Sequence, residues 1–286
     1  MPVATLLVSC RDRTGLVAAL SDFVFRHGGN IIDLDQHSET APGESTGTFL
    51  MRLVFDTAGM RLDQQGIRTA ISVLAQSHDL TTDLSFSDRR PKVAVFCSTV
   101  PHCLYDLLLA QSLGDLAGDI VAVVANHDSL RGVAEHFSLP FHFLPIGQDK
   151  LADEAKQEAL LTELGIDLVV LARYMQILSP GFVSRWQGRI INIHHSFLPA
   201  FVGAKPYHQA KERGVKLIGA TAHYVTAELD QGPIIEQDVA RVSHKDDVAS
   251  LIRKGRDLER RVVTRAVRLH LDRRVLVSGN RTVIFG

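Results

Sequence analysis

Cysteine is scarce and poorly placed for cross-linking: Cys10, Cys97 and Cys103 are odd in number and contain no C-x-x-C pair. This excludes a disulfide framework, argues against a structural zinc site and points to a reducing, cytoplasmic setting. No apolar run approaches the roughly 20 residues needed to cross a bilayer. The opening MPVATLLVSCRDR has no positive region before its apolar stretch, so it reads as a first strand rather than a signal peptide. Excess charge of one sign is also missing. With 31 Lys and Arg against 32 Asp and Glu, the net charge is -1, which offers no broad attraction to nucleic acid or an anionic membrane. The basic pair Arg273-Arg274 reads as a solvated helix end.

Several motifs are absent as well. The first strand of the second half runs into Cys97-Ser98-Thr99-Val100-Pro101-His102, which is neither G-x-G-x-x-G nor a P-loop, so no dinucleotide or triphosphate is indicated. Ser196 follows two histidines but lacks the G-x-S-x-G elbow of a serine nucleophile. Cys97 and Cys103 read as buried structural thiols. Internal repeats and low-complexity tracts are not seen.

What is present fits a soluble chain of two domains: 286 residues, 45% hydrophobic and 22% charged. Strand patterns at 3–9, 31–36, 48–54 and 80–86 alternate with helical patterns around Leu16–Val24 and at 62–74, giving β-α-β-β-α-β. Asp12 or Thr14 is placed to cap the first helix, and Gly28-Gly29 to end it. Phe49, Met51 and Leu53 share one strand face. Two helices on one face of an antiparallel sheet is the ferredoxin-like solution. The polar, proline-ended Ser87–Pro91 segment is the expected linker, giving domains at 1–86 and 91–286.

Beyond it, continuous apolar strands at 93–96, 120–124, 167–171 and 190–193 alternate with helices, as in a mostly parallel, Rossmann-like α/β sheet. A long helix is expected over about 244–271, with Ser243 as its cap. The tail at 275–277 and 282–285, around Gly279-Asn280, reads as a small hairpin.

The informative segment is Asn192-Ile193-His194-His195-Ser196-Phe197-Leu198-Pro199, at the carboxyl end of a predicted strand, where α/β sheets usually bind ligands. Asn192 and His194 are two apart and share a face, so an amide and an imidazole could together meet a charged carbonyl oxygen. They could equally tie down an irregular loop. Thr221, His223, Asp230, Gly232 and Pro233 form a second polar set. There Asp230 is either a water-orienting base or a turn former. His194, His195, His208 and His223 with Asp230 match no standard zinc spacing, so no metal and no tightly bound cofactor are expected.

Four separated motifs sharpen this reading: LARYMQILSP at 171–180, INIHHSFLPAFVGAKPYHQA at 191–210, GATAHYV at 219–225 and LDQGPIIEQD at 229–238. In this order they resemble the formyltetrahydrofolate deformylases, in which an ACT domain precedes a folate-dependent formyltransferase domain. The resemblance covers nearly the whole chain. It implies hydrolysis of 10-formyltetrahydrofolate to tetrahydrofolate and formate. Asn192, His194 and Asp230 would be catalytic, Gln176, Leu178, Val225 and Leu229 would contact the folate, and His195 and His223 would support the site. The related glycinamide ribonucleotide formyltransferases resemble this segment but have proline where His195 stands. Their glycine-rich loop for the acceptor phosphate is replaced here by CSTVPHCLYDL. The ACT-like half, with CRDRTGLV and Gly28-Gly29-Asn30-Ile31, implies a homo-oligomer and a small amino-acid effector.

Overall fold

A computed structural model describes residues 3–40, 47–199 and 206–286. Its contacts divide into two units, one of residues 1–90 with 273–278 and 283–286, the other of residues 91–272 with 279–282.

The first unit runs β1 (Val3–Arg11), α1 (Leu16–Arg26), β2 (Asn30–Glu39), β3 (Thr48–Asp56), α2 (Gln64–Ser77) and β4 (Thr81–Phe86). The antiparallel sheet has the order β2-β3-β1-β4, the ferredoxin-like arrangement. Leu6, Val8, Phe49, Met51, Leu53 and Phe55 meet Leu20, Phe23, Val24, Ile67 and Ile71 in one core. Each such side chain removed from water contributes about 1.5–3 kcal/mol. Neither Asp12 nor Thr14 caps α1. Gly15 occupies the N-cap without a side-chain bond, and Gly28 at φ +82° follows the last turn.

The alternation of β3 predicts one buried face, yet both faces are covered. The tail explains this. The hairpin strands β12 (Val275–Ser278) and β13 (Arg281–Ile284) lead to Phe285, which with Leu276 packs on Leu7 and Leu50. Arg52 fixes the return by donating from Nε to the Arg273 carbonyl at 3.0 Å and from Nη1 to Asp33 at 2.6 Å. The tail expected within 91–286 therefore belongs largely to the first unit.

The second unit comprises β5 (Lys92–Cys97), α3 (His102–Ser112), β6 (Asp119–Ala125), α4 (Arg131–His136), β7 (Phe141–Phe143), α5 (Lys150–Leu164), β8 (Leu168–Leu171), α6 (Pro180–Arg185), β9 (Ile190–His194), α7 (Pro206–Glu212), β10 (Leu217–Tyr224), β11 (Ile234–Arg241) and α8 (Val248–Leu271). Its sheet order is β11-β10-β9-β8-β5-β6-β7, with β5 to β9 parallel and β10 and β11 antiparallel additions. Strand order reverses between β5 and β8, so connections leave the sheet in opposite directions and open a crevice at the carboxyl ends. Helix α8 buries Leu251, Leu258, Val262, Val263 and Val267. Its cap is Asp247, which accepts from the Ser250 N–H at 2.7 Å, rather than Ser243, whose own N–H bonds Asp246. No described helix is long and apolar enough to cross a membrane.

Candidate active site

Strand β9 buries Ile190, Ile191 and Ile193 in the sheet. It pairs in parallel with β8, Leu171 opposite Asn192, and antiparallel with β10, where His223 faces Asn192 and Thr221 faces His194. Cross-strand neighbours lie close enough for side-chain contact. Asn192 Nδ2 donates to His223 Nε2 at 3.2 Å, while His223 Nδ1 lies 2.9 Å from the Tyr224 carbonyl. Because a carbonyl can only accept, Nδ1 is the donor to it, and Nε2 is the acceptor for Asn192. One of the two amide N–H groups of Asn192 is thus held, which orients the other.

The β10–β11 loop returns Asp230 to this pair. One of its oxygens lies 3.2 Å from His194 Nδ1 and the other 3.6 Å from His223 Nε2. The hydrogen bond from His194 is the main reason the Asp230 carboxyl is held well below the usual carboxylate range despite its burial. The His194 Nδ1 proton points to Asp230, and the buried Nε2 has no hydrogen-bond partner among the described residues. Asp230 sits at φ +57°, a left-handed conformation that aspartate tolerates better than most residues.

Gly232 makes that loop possible. A Cβ there would stand 1.7 Å from the Tyr224 carbonyl oxygen, which is backbone and cannot swing aside. The Tyr224 N–H to Pro233 carbonyl bond, 2.9 Å, closes the pinch. Gly232→Ala is therefore expected to cost about 1–3 kcal/mol of strain and to move Asp230. Turnover should fall about tenfold or more while the chain stays folded, because small misplacements of reacting groups are expensive. Thermal unfolding and steady-state rates on the same preparation check this.

These groups line a cavity of about 420 Å³. Its other wall is the loop after β8, anchored at three points. Ser98 Oγ accepts from the Met175 N–H at 3.1 Å, Gln157 bonds the Tyr174 hydroxyl at 2.9 Å, and Glu154 accepts from the Ser179 N–H at 2.8 Å. Gln176, Leu178, Val225 and Leu229 all line the cavity. Leu178 is rooted in the core, while Leu229, Met175 and Ile177 form an exposed apolar rim. His195 also lines it, its ring 5.3 Å from that of His194. Residues 200–205 of the long histidine motif lie outside the described residues.

Burial, then the nearby Arg173 charge, lowers the His195 pKa to about 4. The unfolded imidazole binds its proton near pH 6.5, so between those values the unfolded state holds more protons and stability rises with pH. From pH 7 down to pH 5 the wild-type chain should lose about 2 kcal/mol on this account. His195→Gln should show a correspondingly flatter profile in denaturant titrations at the two pH values.

The thiol nucleophiles fade. Burial pushes Cys97 up to about 12 and Cys103 well above its ordinary value. Among the described residues, the grouping with metal-ligand spacing is His102, Cys103 and Glu259, within 4.8 Å. It does not suit a cation, because Glu259 already accepts from His102 Nε2 and the Tyr207 hydroxyl, both at 2.8 Å, beside the Arg173 guanidinium. The histidines weighed for zinc are not in that group, and His208 is not among the cavity-lining residues.

The formyl transferase family model matches residues 91–267. A formyltetrahydrofolate deformylase of Synechocystis is 53% identical, the alignment covering 99% of this chain and 98% of the relative. The chain belongs to the formyltetrahydrofolate deformylase family. A deformylase crystal structure from Pseudomonas syringae superimposes with a TM-score of 0.96 at 44% identity, covering 100% of this chain and 95% of that one. A glycinamide ribonucleotide transformylase from Symbiobacterium toebii matches less of it: 31% identity and a TM-score of 0.67 over 71% of this chain and 98% of that one.

The buried set His102, Tyr207 and Glu259, with Arg173, was not anticipated from the sequence. One signal was available. Glu259 interrupts the apolar stripe of α8, and a carboxylate at such a position requires partners.

Proposed function

We propose that this deformylase-family chain hydrolyses 10-formyltetrahydrofolate to tetrahydrofolate and formate. The observation that carries the reading is one carboxylate, Asp230, held between two imidazoles at 3.2 and 3.6 Å, with the Asn192 amide beside them, on a largely apolar cavity. Asp230 orients a water and helps remove its proton as the oxygen attacks the formyl carbon. Negative charge then develops on the former carbonyl oxygen. The second Asn192 N–H and the Nε2–H of a His194 that carries both ring protons before water attacks meet it. The C–N bond breaks with its electron pair going to nitrogen, to which Asp230 returns the proton directly or through water. Gln176, Leu178, Val225 and Leu229 supply the wall for the folate ring, and His223 holds Asn192 in place.

Water rather than an amine is the acceptor, on the argument that the β5–α3 connection is closed by side chains. Ser98 is bonded to Asn126 at 2.7 Å and to Met175, and His102 at the start of α3 is turned onto Glu259. The connection Cys97-Ser98-Thr99-Val100-Pro101-His102 also contains no glycine, so the glycine-rich phosphate loop of the related transformylases has no counterpart in it. The first unit is read as an ACT domain that assembles this cytoplasmic enzyme into homo-oligomers and takes a small amino-acid effector. The test is purified protein with 10-formyltetrahydrofolate, with and without glycinamide ribonucleotide. Formate release without the amine is expected; faster transfer to the amine than release of formate would overturn hydrolysis.

A further inference from the structure

Among the described residues Arg173 is the one Lys or Arg lining the cavity, and the mechanism above leaves it unused. Its position follows from the sheet. Leu171, the last residue of β8, stands opposite Asn192 on β9, and Arg173 follows two residues later on the cavity that it shares with His194. Arg173 does so at φ +63°, a left-handed conformation that costs a long side chain about 1–2 kcal/mol. Its side chain is 16% exposed, and Nε and Nη1 are buried without a hydrogen-bond partner among the described residues. Unmet buried donors on a charged group are costly.

Beneath it lies Glu259, whose side chain is 2% exposed and 3.5 Å from Arg173 Nη1. Glu259 balances the guanidinium charge without bonding Nε or Nη1, while its own oxygens accept from His102 and Tyr207. The sequence makes room for this with Gly255, one turn earlier on α8, where a Cβ would stand 1.8 Å from the Tyr207 hydroxyl. The result is a cation fixed in place and backed by a carboxylate, on the cavity that also holds Asn192, His194 and Asp230.

We propose that Arg173 forms a small-carboxylate subsite that receives the one-carbon product, formate, as it develops from the tetrahedral intermediate. The inference rests on the hydrolytic reading. Arg173 makes and breaks no covalent bond. When the C–N bond breaks, the fragment is formic acid; its proton is lost to solvent and the resulting anion is held by the guanidinium. Asp230, already negative in the same cavity, would otherwise repel that product. A planar guanidinium matches a carboxylate in a way a lysine ammonium does not.

The experiment pairs binding with turnover. Line broadening of 13C-formate is measured with wild type, Arg173→Met and Arg173→Lys, beside N-benzoylglutamate as a probe for the folate's own carboxylates. Formate affinity is expected to fall about tenfold or more in Arg173→Met, the size of one lost charge-assisted contact. Arg173→Lys should fall between the two, and N-benzoylglutamate affinity should change little. Formate binding equal to wild type in either folded variant overturns the subsite, as does loss confined to N-benzoylglutamate. Absence of formate binding to wild type overturns it too. Formate release from 10-formyltetrahydrofolate is assayed separately: a wild type that binds formate through Arg173 but releases none sinks the hydrolytic reading, not the subsite.

Discussion

Asp230→Asn should lower kcat for formate release about a thousandfold, within the 10²–10⁴ range of general acid–base groups. The substitution is unusually clean. Asparagine tolerates the left-handed φ of +57° at this position, so the loop keeps its path. An amide oxygen can still accept the His194 Nδ1 proton across the 3.2 Å contact. What disappears is the charge and the capacity to take a proton from water. The depressed pKa of Asp230 means the carboxylate is fully ionised above the ordinary carboxylate range, so the loss should be nearly independent of pH from mildly acidic to mildly basic buffer. Steady-state formate release at several pH values, with thermal unfolding as the control, reads the effect. A folded Asp230→Asn enzyme working within about tenfold of wild type would take Asp230 out of the proton chemistry.

Much of the scaffold was legible because its signals are local. The apolar run at 93–96 becomes β5, bounded at Lys92 and Cys97, and that at 190–193 becomes β9, extended by one residue to His194. The spacing of Asn192 and His194 placed both on one face, and the pairing with β10 then brought His223 opposite Asn192. Asp230, 38 positions beyond Asn192, arrives by an antiparallel return that the Gly232-Pro233 turn announces. Spacing alone left two readings open for each of these residues, a working site or a braced loop. The sequence resemblance favoured the first; the geometry adds a carboxylate between two imidazoles and an unpartnered nitrogen.

What stayed hidden is non-local. Arg173 and Glu259 are 86 positions apart, and no periodicity links a loop arginine to the buried face of a late helix. The tail's return onto Leu7 and Leu50 was equally invisible, because a short hairpin reads the same whether it packs on the nearer or the farther unit. The cap of α8 went to Asp247 over Ser243, since both types cap well and only the chain's approach decides.

Asn192→Ala is expected to reduce kcat about a hundredfold to a thousandfold, about 3–4 kcal/mol of transition-state stabilisation, as for other oxyanion donors. The size follows from the two N–H groups of the amide. His223 Nε2 takes one at 3.2 Å, and the other is left for the charged oxygen in a largely apolar cavity. KM should change less than kcat, because the neutral formyl oxygen of the bound substrate gains far less from the donor than the oxyanion does. Asn192→Asp should be at least as impaired as the alanine variant: it keeps the shape but sets a second negative charge beside Asp230 and the forming oxyanion. Combining Asn192→Ala with Asp230→Asn should cost much less than the product of the single losses, since water without its base no longer generates the charge the amide serves. Fully multiplicative losses would mean that amide and carboxylate act independently, and a raised KM with kcat unchanged would assign Asn192 to ground-state binding.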